Sequence, residues 1–245
     1  AATSDAVKTA QLAGWLMAAD VMSVGIDFSF APVLDLDYGR NEVIADRSFG
    51  QKAEQVVDLG RAFMQGMRKA GMASVGKPFP GHGWVEADTH FAVPVDERSL
   101  SEIERTDLRV FMLLSAEMTA VMPAHVIYPQ VDEKPAGFST VWLQTILRTQ
   151  LGFKGLIFSD DLCMAGAHVA GDMQARTMAA VQAGCDILLV CNDPAGAEQS
   201  LMTLQQHSVE PCNRTGLMRA KKTLFADFKS QPDYAQARQL VEALV

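Results

Sequence analysis

The chain has 245 residues, of which 49% are hydrophobic and 20% charged. That balance belongs to a folded globular protein and excludes an intrinsically disordered one. A net charge of −8 speaks against a nucleic-acid-binding surface, which needs clustered Lys and Arg.

The apolar runs are short. Asp186-Ile-Leu-Leu-Val-Cys191 is typical, far below the roughly 18 residues of a membrane span, so no membrane partner is expected. The first residues do not read as a signal peptide. Four cysteines, at 163, 185, 191 and 212, show neither CxxC spacing nor a nearby zinc-type His pair. They read as reduced thiols of a cytoplasmic chain.

In chain order, apolar positions Leu12, Trp15, Leu16, Ala19 and Met22 recur at helical spacing, predicting a helix from Ser4, its expected N-cap, to about residue 24. A strand follows from about Asp27 to Leu34 and ends in Asp35-Leu-Asp37. Gln51 to Ala70 is a predicted helix with Val56, Leu59, Phe63 and Met67 on one face and Gly71 as its stop. Ala73 to Phe79 is a strand that runs into a loop rich in Gly, Pro and His. Ser99-Leu-Ser-Glu102 is a capping box opening the next helix. Thr119 to Val126 is a strand, and Ser139 caps a helix ending near Gly152. Gly155 to Ser159 is a strand, about Asp172 to Ala183 a helix, and Asp186 to Cys191 a strand. The rest, from about residue 195, is a more polar helical tail.

Five strands alternating with helices predict an α/β fold with a parallel sheet. Either a (β/α)8 barrel or a doubly wound open sheet would satisfy the pattern. The open sheet would carry a Gly-rich phosphate turn after its first strand, and none is present. In a barrel, the active site forms at the C-terminal strand ends. Asp35, Lys77, His125 and Asp160 all fall at such ends, which favours the barrel.

Two segments concentrate chemistry. Gly76-Lys-Pro-Phe-Pro-Gly-His-Gly83 continues to Asp88-Thr-His90, where a carboxylate two residues from an imidazole can orient it as a general acid/base. Phe158-Ser-Asp-Asp-Leu162 ends an apolar strand in two acids. Asp160 would emerge at the barrel mouth as nucleophile, base or metal ligand, whereas Asp161 suits a helix cap. Arg47 lies in a loop, where an arginine is ordinarily solvated, and His125 ends a strand, where a semi-buried structural histidine is the simpler reading. The 13 methionines read as core filler.

Taken in order, Lys77 to Gly83, Asp88-Thr-His90, Met122-Pro-Ala-His-Val126 and Phe158-Ser-Asp-Asp-Leu-Cys-Met164 resemble the bacterial β-N-acetylhexosaminidases of glycoside hydrolase family 3. The flanks Phe30-Ala-Pro-Val-Leu-Asp35, Asp46-Arg-Ser-Phe49 and Gly184-Cys-Asp-Ile-Leu-Leu-Val-Cys-Asn192 agree. The resemblance implies removal of a terminal N-acetylglucosamine from a muropeptide in cytoplasmic cell-wall recycling. It implies Asp160 as nucleophile, His90 as general acid/base oriented by Asp88, and Arg47, Lys77 and residue 78 as sugar contacts. No metal or organic cofactor is expected. The only partner expected is a small carbohydrate or muropeptide substrate.

Two departures from the family accompany it. The family motif reads Lys-His where this chain has Lys77-Pro78, and proline has neither an imidazole nor a backbone N–H. The family's two opening βα units, with an Asp-Gln-Glu-Gly-Gly-Arg segment, have no match here. The expectation is therefore a single catalytic barrel domain over residues 1–245, N-terminally incomplete, with open strand edges. Competing readings are a family 3 glycosidase of other sugar specificity, a catalytically impaired fragment or carbohydrate-binding remnant, and a barrel aldolase or isomerase.

Overall fold

The computed structural model describes residues 2–41, 44–86, 93–221, 228–230 and 232–243. Among them, strands β1 (Val75–Phe79), β2 (Ala120–Pro123), β5 (Leu156–Asp161) and β6 (Ile187–Leu189) form one parallel sheet in that order. The expected first strand is present as two isolated parallel bridges to the outer edge of β1, Phe28 to Ala73 and Val33 to Lys77. Five parallel positions therefore follow chain order, as βα units require. A short antiparallel hairpin, β3 (Ile127–Tyr128) with β4 (Asp132–Pro135), follows β2. Its two-residue strand carries no periodicity, so nothing in the sequence announced it.

Strand side chains alternate between two faces. In β5, Ile157 packs into a cluster with Leu34, Phe79, Phe111, Val121 and Trp142, the side covered by helices α2 (Ala53–Ala70) and α4 (Asp107–Leu114) and by a helix over Val141–Gln150. Leu156 and Phe158 face the other way, with Val75, Ala120, Met122 and Met218. Phe28, Phe30 and Phe158 meet there with ring centroids 5.5–5.7 Å apart. Burial of each such side chain contributes about 1.5–3 kcal/mol. Both faces are apolar, which is why these strands read as near-continuous hydrophobic runs.

The helices follow their sequence signals with local changes. Helix α1 (Ser4–Ser23) is capped by Thr3, whose hydroxyl accepts from the Ala6 amide, so the cap lies one residue before the expected Ser4. Gly71, at φ +99°, ends α2. The Ser99–Glu102 capping box forms and opens α3 (Leu100–Arg105), but Thr106 breaks the helix before α4. Ser139 accepts from the Trp142 amide as expected, yet the helix after it winds in the wider π pattern. Helix α5 (Met173–Ala183) is capped by Asp172, and α6 (Pro194–Gln206) by Asp193. Farther along the tail, in α7 (Pro232–Glu242), Ala237 is buried against Leu12, Trp15 and Met67.

Candidate active site

The end of β5 sets the site. Its register shifts between Phe158 and Asp161, and Asp160 stands in that irregular stretch at the C-terminal end of the sheet. It lines a cavity of about 240 Å³ together with His82, Pro94, His125, Met164, Ala165 and Gly166. Its Oδ1 accepts from the Asp161 amide at 2.9 Å. Asp161 has different partners. Its Oδ1 accepts from the amides of Cys163 and Cys191, each at 3.0 Å. Asp161 therefore ties the end of β5 to the loop after β6 and is not the helix cap the sequence suggested. The buried Ser159 adds a second tie, its Oγ accepting from the Leu189 amide at 2.9 Å.

Lys77 and Pro78 lie on β1, and the register shifts between Gly76 and Phe79. The shift sends Phe79 to the helix-covered face while the Lys77 ammonium sits 5.9 Å from the centre of the Phe30 ring. Burial holds the Lys77 pKa below its ordinary value, against the attraction of Asp160; Arg47 lowers it further and Asp35 opposes. Arg47 ends the 3₁₀ turn Ala45–Arg47 and is exposed. Lys77 therefore feels the charges of both Arg47 and Asp160. Pro78 is half-buried on the same strand.

The loop after β1 is held through its backbone. The Gly81 carbonyl accepts from the Tyr128 hydroxyl. The amides of His82 and Gly83 both donate to Asp35 Oδ1, at 2.5 and 3.2 Å. Asn41 Nδ2 donates to the carbonyls of His82 and Val85, at 3.0 and 2.9 Å, and lies 2.8 Å from His82 Nδ1. The seating is so close that a Cβ on Gly83 would come within 2.1 Å of the Leu36 carbonyl oxygen, and one on Gly81 within 2.6–2.8 Å of the Asp107 carboxyl. Only glycine fits under those contacts. Trp84 packs edge-on to Tyr38 beneath the guanidinium groups of Arg40 and Arg98.

Asp35 is wholly buried, and its Oδ2 has no hydrogen-bond partner. Burial pushes its pKa up to about 8 against the pull of the His82 amide, with the Asp107 carboxyl adding to the rise. It is a neutral acid over most of the physiological range. His125 is 4% exposed. Its Nε2 lies 3.1 Å from the Asp161 carbonyl, to which it donates, and its buried Nδ1 has no hydrogen-bond partner. Burial lowers the pKa of both His82 and His125, while Asp160 pulls each upward.

Larger clefts lie elsewhere among the described residues, of about 700 Å³ beside α6, 530 Å³ beneath the sheet near Gly71–Ser74 and 400 Å³ between Cys163, Arg176 and Asp193. The third lies past the ends of β5 and β6, but Asp160 does not line it. Chemistry rather than size selects the small cavity. Asp88 and His90, the expected acid/base pair, lie outside the described residues. His82 and Asn41 drew no role from the sequence. They are 41 positions apart, and an asparagine in a loop carries no pattern. No group of three or more metal-ligating side chains occurs among the described residues, nor does a helix long and apolar enough to cross a membrane.

Comparison with known proteins bears on this arrangement. Residues 1–211 match the glycosyl hydrolase family 3 N-terminal domain. A β-hexosaminidase of Pseudomonas aeruginosa is 54% identical over 239 residues, which is 98% of this chain and 72% of that protein. Its namesake from Idiomarina loihiensis is 50% identical over 236 residues, 95% of this chain and 71% of the relative. Among solved structures, NagZ of Neisseria gonorrhoeae in complex with N-trifluoroacetyl-D-glucosamine superposes with a TM-score of 0.87 at 43% identity, covering 99% of this chain and 71% of that one.

Proposed function

This chain belongs to glycosyl hydrolase family 3 and is a glycoside hydrolase, and from that premise we propose that it is a retaining exo-β-N-acetylglucosaminidase acting through Asp160. The observation that carries the reading is the Asp160 carboxylate at the end of β5, in a cavity of about 240 Å³. That is smaller than the ~300–1,000 Å³ of ordinary ligand pockets and suits one terminal sugar ring rather than a chain of them. The names of the relatives and the N-acyl glucosamine held by the Neisseria protein support N-acetylglucosamine as that sugar.

The mechanism has two steps. Asp160 attacks the anomeric carbon, forming an ester as the bond to the leaving oxygen breaks. His90, oriented by Asp88, gives its proton to that oxygen. Water then attacks the anomeric carbon, His90 takes its proton, and the carboxylate leaves, so two inversions restore the β configuration. Retaining glycosidases usually use a second carboxylate as the acid/base. A histidine, with an ordinary pKa of about 6.5, can give and take the proton near neutral pH. Lys77 and Arg47 would supply charged hydrogen bonds to sugar hydroxyls. The step so written uses only side chains, with no metal or organic cofactor. The substrate we assign is the terminal N-acetylglucosamine of a muropeptide, released in cytoplasmic peptidoglycan recycling.

The test is hydrolysis of an aryl N-acetyl-β-glucosaminide followed by proton NMR. The β-anomer of N-acetylglucosamine is expected first, with the α-anomer appearing only by mutarotation. First-formed α product would overturn the double displacement. A folded chain that binds the sugar without cleaving it would mark the catalytically impaired, binding-only form of the same fold.

A further inference from the structure

His82 shares the cavity with Asp160 and His125, yet the mechanism above gives it nothing to do. Its environment fixes its chemistry. Asn41 Oδ1 accepts from the Ile44 amide at 3.2 Å, and Asn41 Nδ2 faces the carbonyls of His82 and Val85. The amide group is thereby oriented with its nitrogen toward His82, 2.8 Å from Nδ1, its two hydrogens shared among the three acceptors; an amide nitrogen cannot accept, so Nδ1 faces it as an acceptor. A ring nitrogen that accepts carries no proton, so the imidazole is neutral with its hydrogen on Nε2. Burial, which holds the His82 pKa below the ordinary value, agrees. The Nε2–H has no hydrogen-bond partner among the described residues. Asp35 holds the same residue from beneath through its amide. The ring is therefore a fixed, uncharged donor on the wall of the cavity that also holds the Asp160 carboxylate.

We propose that His82 contacts the substrate directly, its Nε2–H donating a hydrogen bond to an oxygen of the sugar bound against Asp160, with Asn41 as the positioning residue that fixes the donor tautomer. This rests on the glycosidase reading and adds a residue to it. A neutral donor suits the position. It can bond a hydroxyl or acetamido oxygen without setting a second positive charge beside Lys77 or forming an ion pair that would neutralise the nucleophile.

The experiment compares the wild-type chain with His82→Leu and His82→Gln. The Leu variant removes the donor, whereas the Gln variant returns an N–H near the Nε2 position. Thermal melting checks that each is folded. Binding of N-acetylglucosamine is measured by titration and hydrolysis of the aryl glucosaminide by initial rates. Loss of one ligand hydrogen bond should raise Kd and KM roughly tenfold in His82→Leu with kcat little changed. The Gln variant should return both to within about threefold of wild type. A folded His82→Leu chain with wild-type Kd and KM overturns the assignment, as does a Gln variant that binds no better than the Leu variant. A wild-type chain that neither binds nor cleaves the sugar refutes the glycosidase reading itself, and the assignment falls with it.

Discussion

Asp35 and Asp160 occupy equivalent places at the ends of two parallel segments, one bridged to the outer edge of β1 and the other the inner strand β5. Each follows an apolar run, and each stands where a parallel strand reaches its C-terminal end. The protein uses them in contrary ways. Asp35 is sealed beneath the Gly81–Val85 loop, holds two backbone amides and keeps its proton to about pH 8. Asp160 opens into a cavity and, among the described residues, bonds only the amide of its own successor. The contrast teaches that strand-end position nominates a carboxylate for chemistry, while burial and hydrogen-bond commitment decide whether it is available. An acid that holds the backbone under a lid of protein is scaffold; one with free lone pairs facing a cavity can attack.

That division can be broken by substitution. The largest effect is expected at Asp160. Asp160→Ala should lower kcat on the aryl glucosaminide by roughly 10⁴-fold or more, as loss of a covalent nucleophile does elsewhere, with thermal melting unchanged. Activity that survives would remove Asp160 from the chemistry. Next comes Lys77→Met, which deletes a charged ligand contact while keeping the buried stem. It should lower kcat/KM about 10- to 100-fold, equivalent to about 1.4–2.7 kcal/mol. Steady-state kinetics decide, and an unchanged value would place Lys77 outside the sugar site.

Asp161→Ala should act on stability rather than on chemistry. It strips the acceptor from two amides and should cost about 1–3 kcal/mol in chemical denaturation. A further effect is a change in pH dependence. The unfolded Asp35 carboxyl ionises near its ordinary 3.8, whereas the folded one holds its proton to about 8. The folded state thus binds the extra proton across that window, and stability declines as pH rises through it. Asp35→Asn keeps an oxygen for the two amides and cannot ionise. Its melting temperature should therefore fall less between pH 5 and pH 8 than that of the wild type, and parallel curves would mean that Asp35 is not protonated in the native chain.

These distinctions mark what was legible in the sequence. All five parallel strand positions could be read, because runs such as Leu156–Phe158 and Ala120–Met122 are apolar on both faces and are bounded by glycine, proline or polar residues. Asp160 and Lys77 stood out as charges where such runs end. The bulge between Gly76 and Phe79 could not be read, since it arises from pairing with β2 and not from a local signal. Nor could the π winding after Ser139, although the cap itself was visible. Asp35 was noticed for its position and given no role, because nothing in Val-Leu-Asp says that a loop from 47 residues away will close over it. The Asn41–His82 pair was hidden for the same reason: its partners meet only once the sheet has assembled.

The separate commitments of residues 160 and 161, one lining the cavity and the other holding two backbone amides, make the site separable into parts. Asp160 hangs from a frame that its neighbour secures, so an enzyme engineer can exchange the residue at 160 for a smaller one without loosening β5 from the loop after β6. On the mechanism proposed above, a chain altered in this way would keep the cavity at the end of β5 while losing the means to cleave, and would serve as a scaffold for binding, capture or synthesis of the same glycosidic bond.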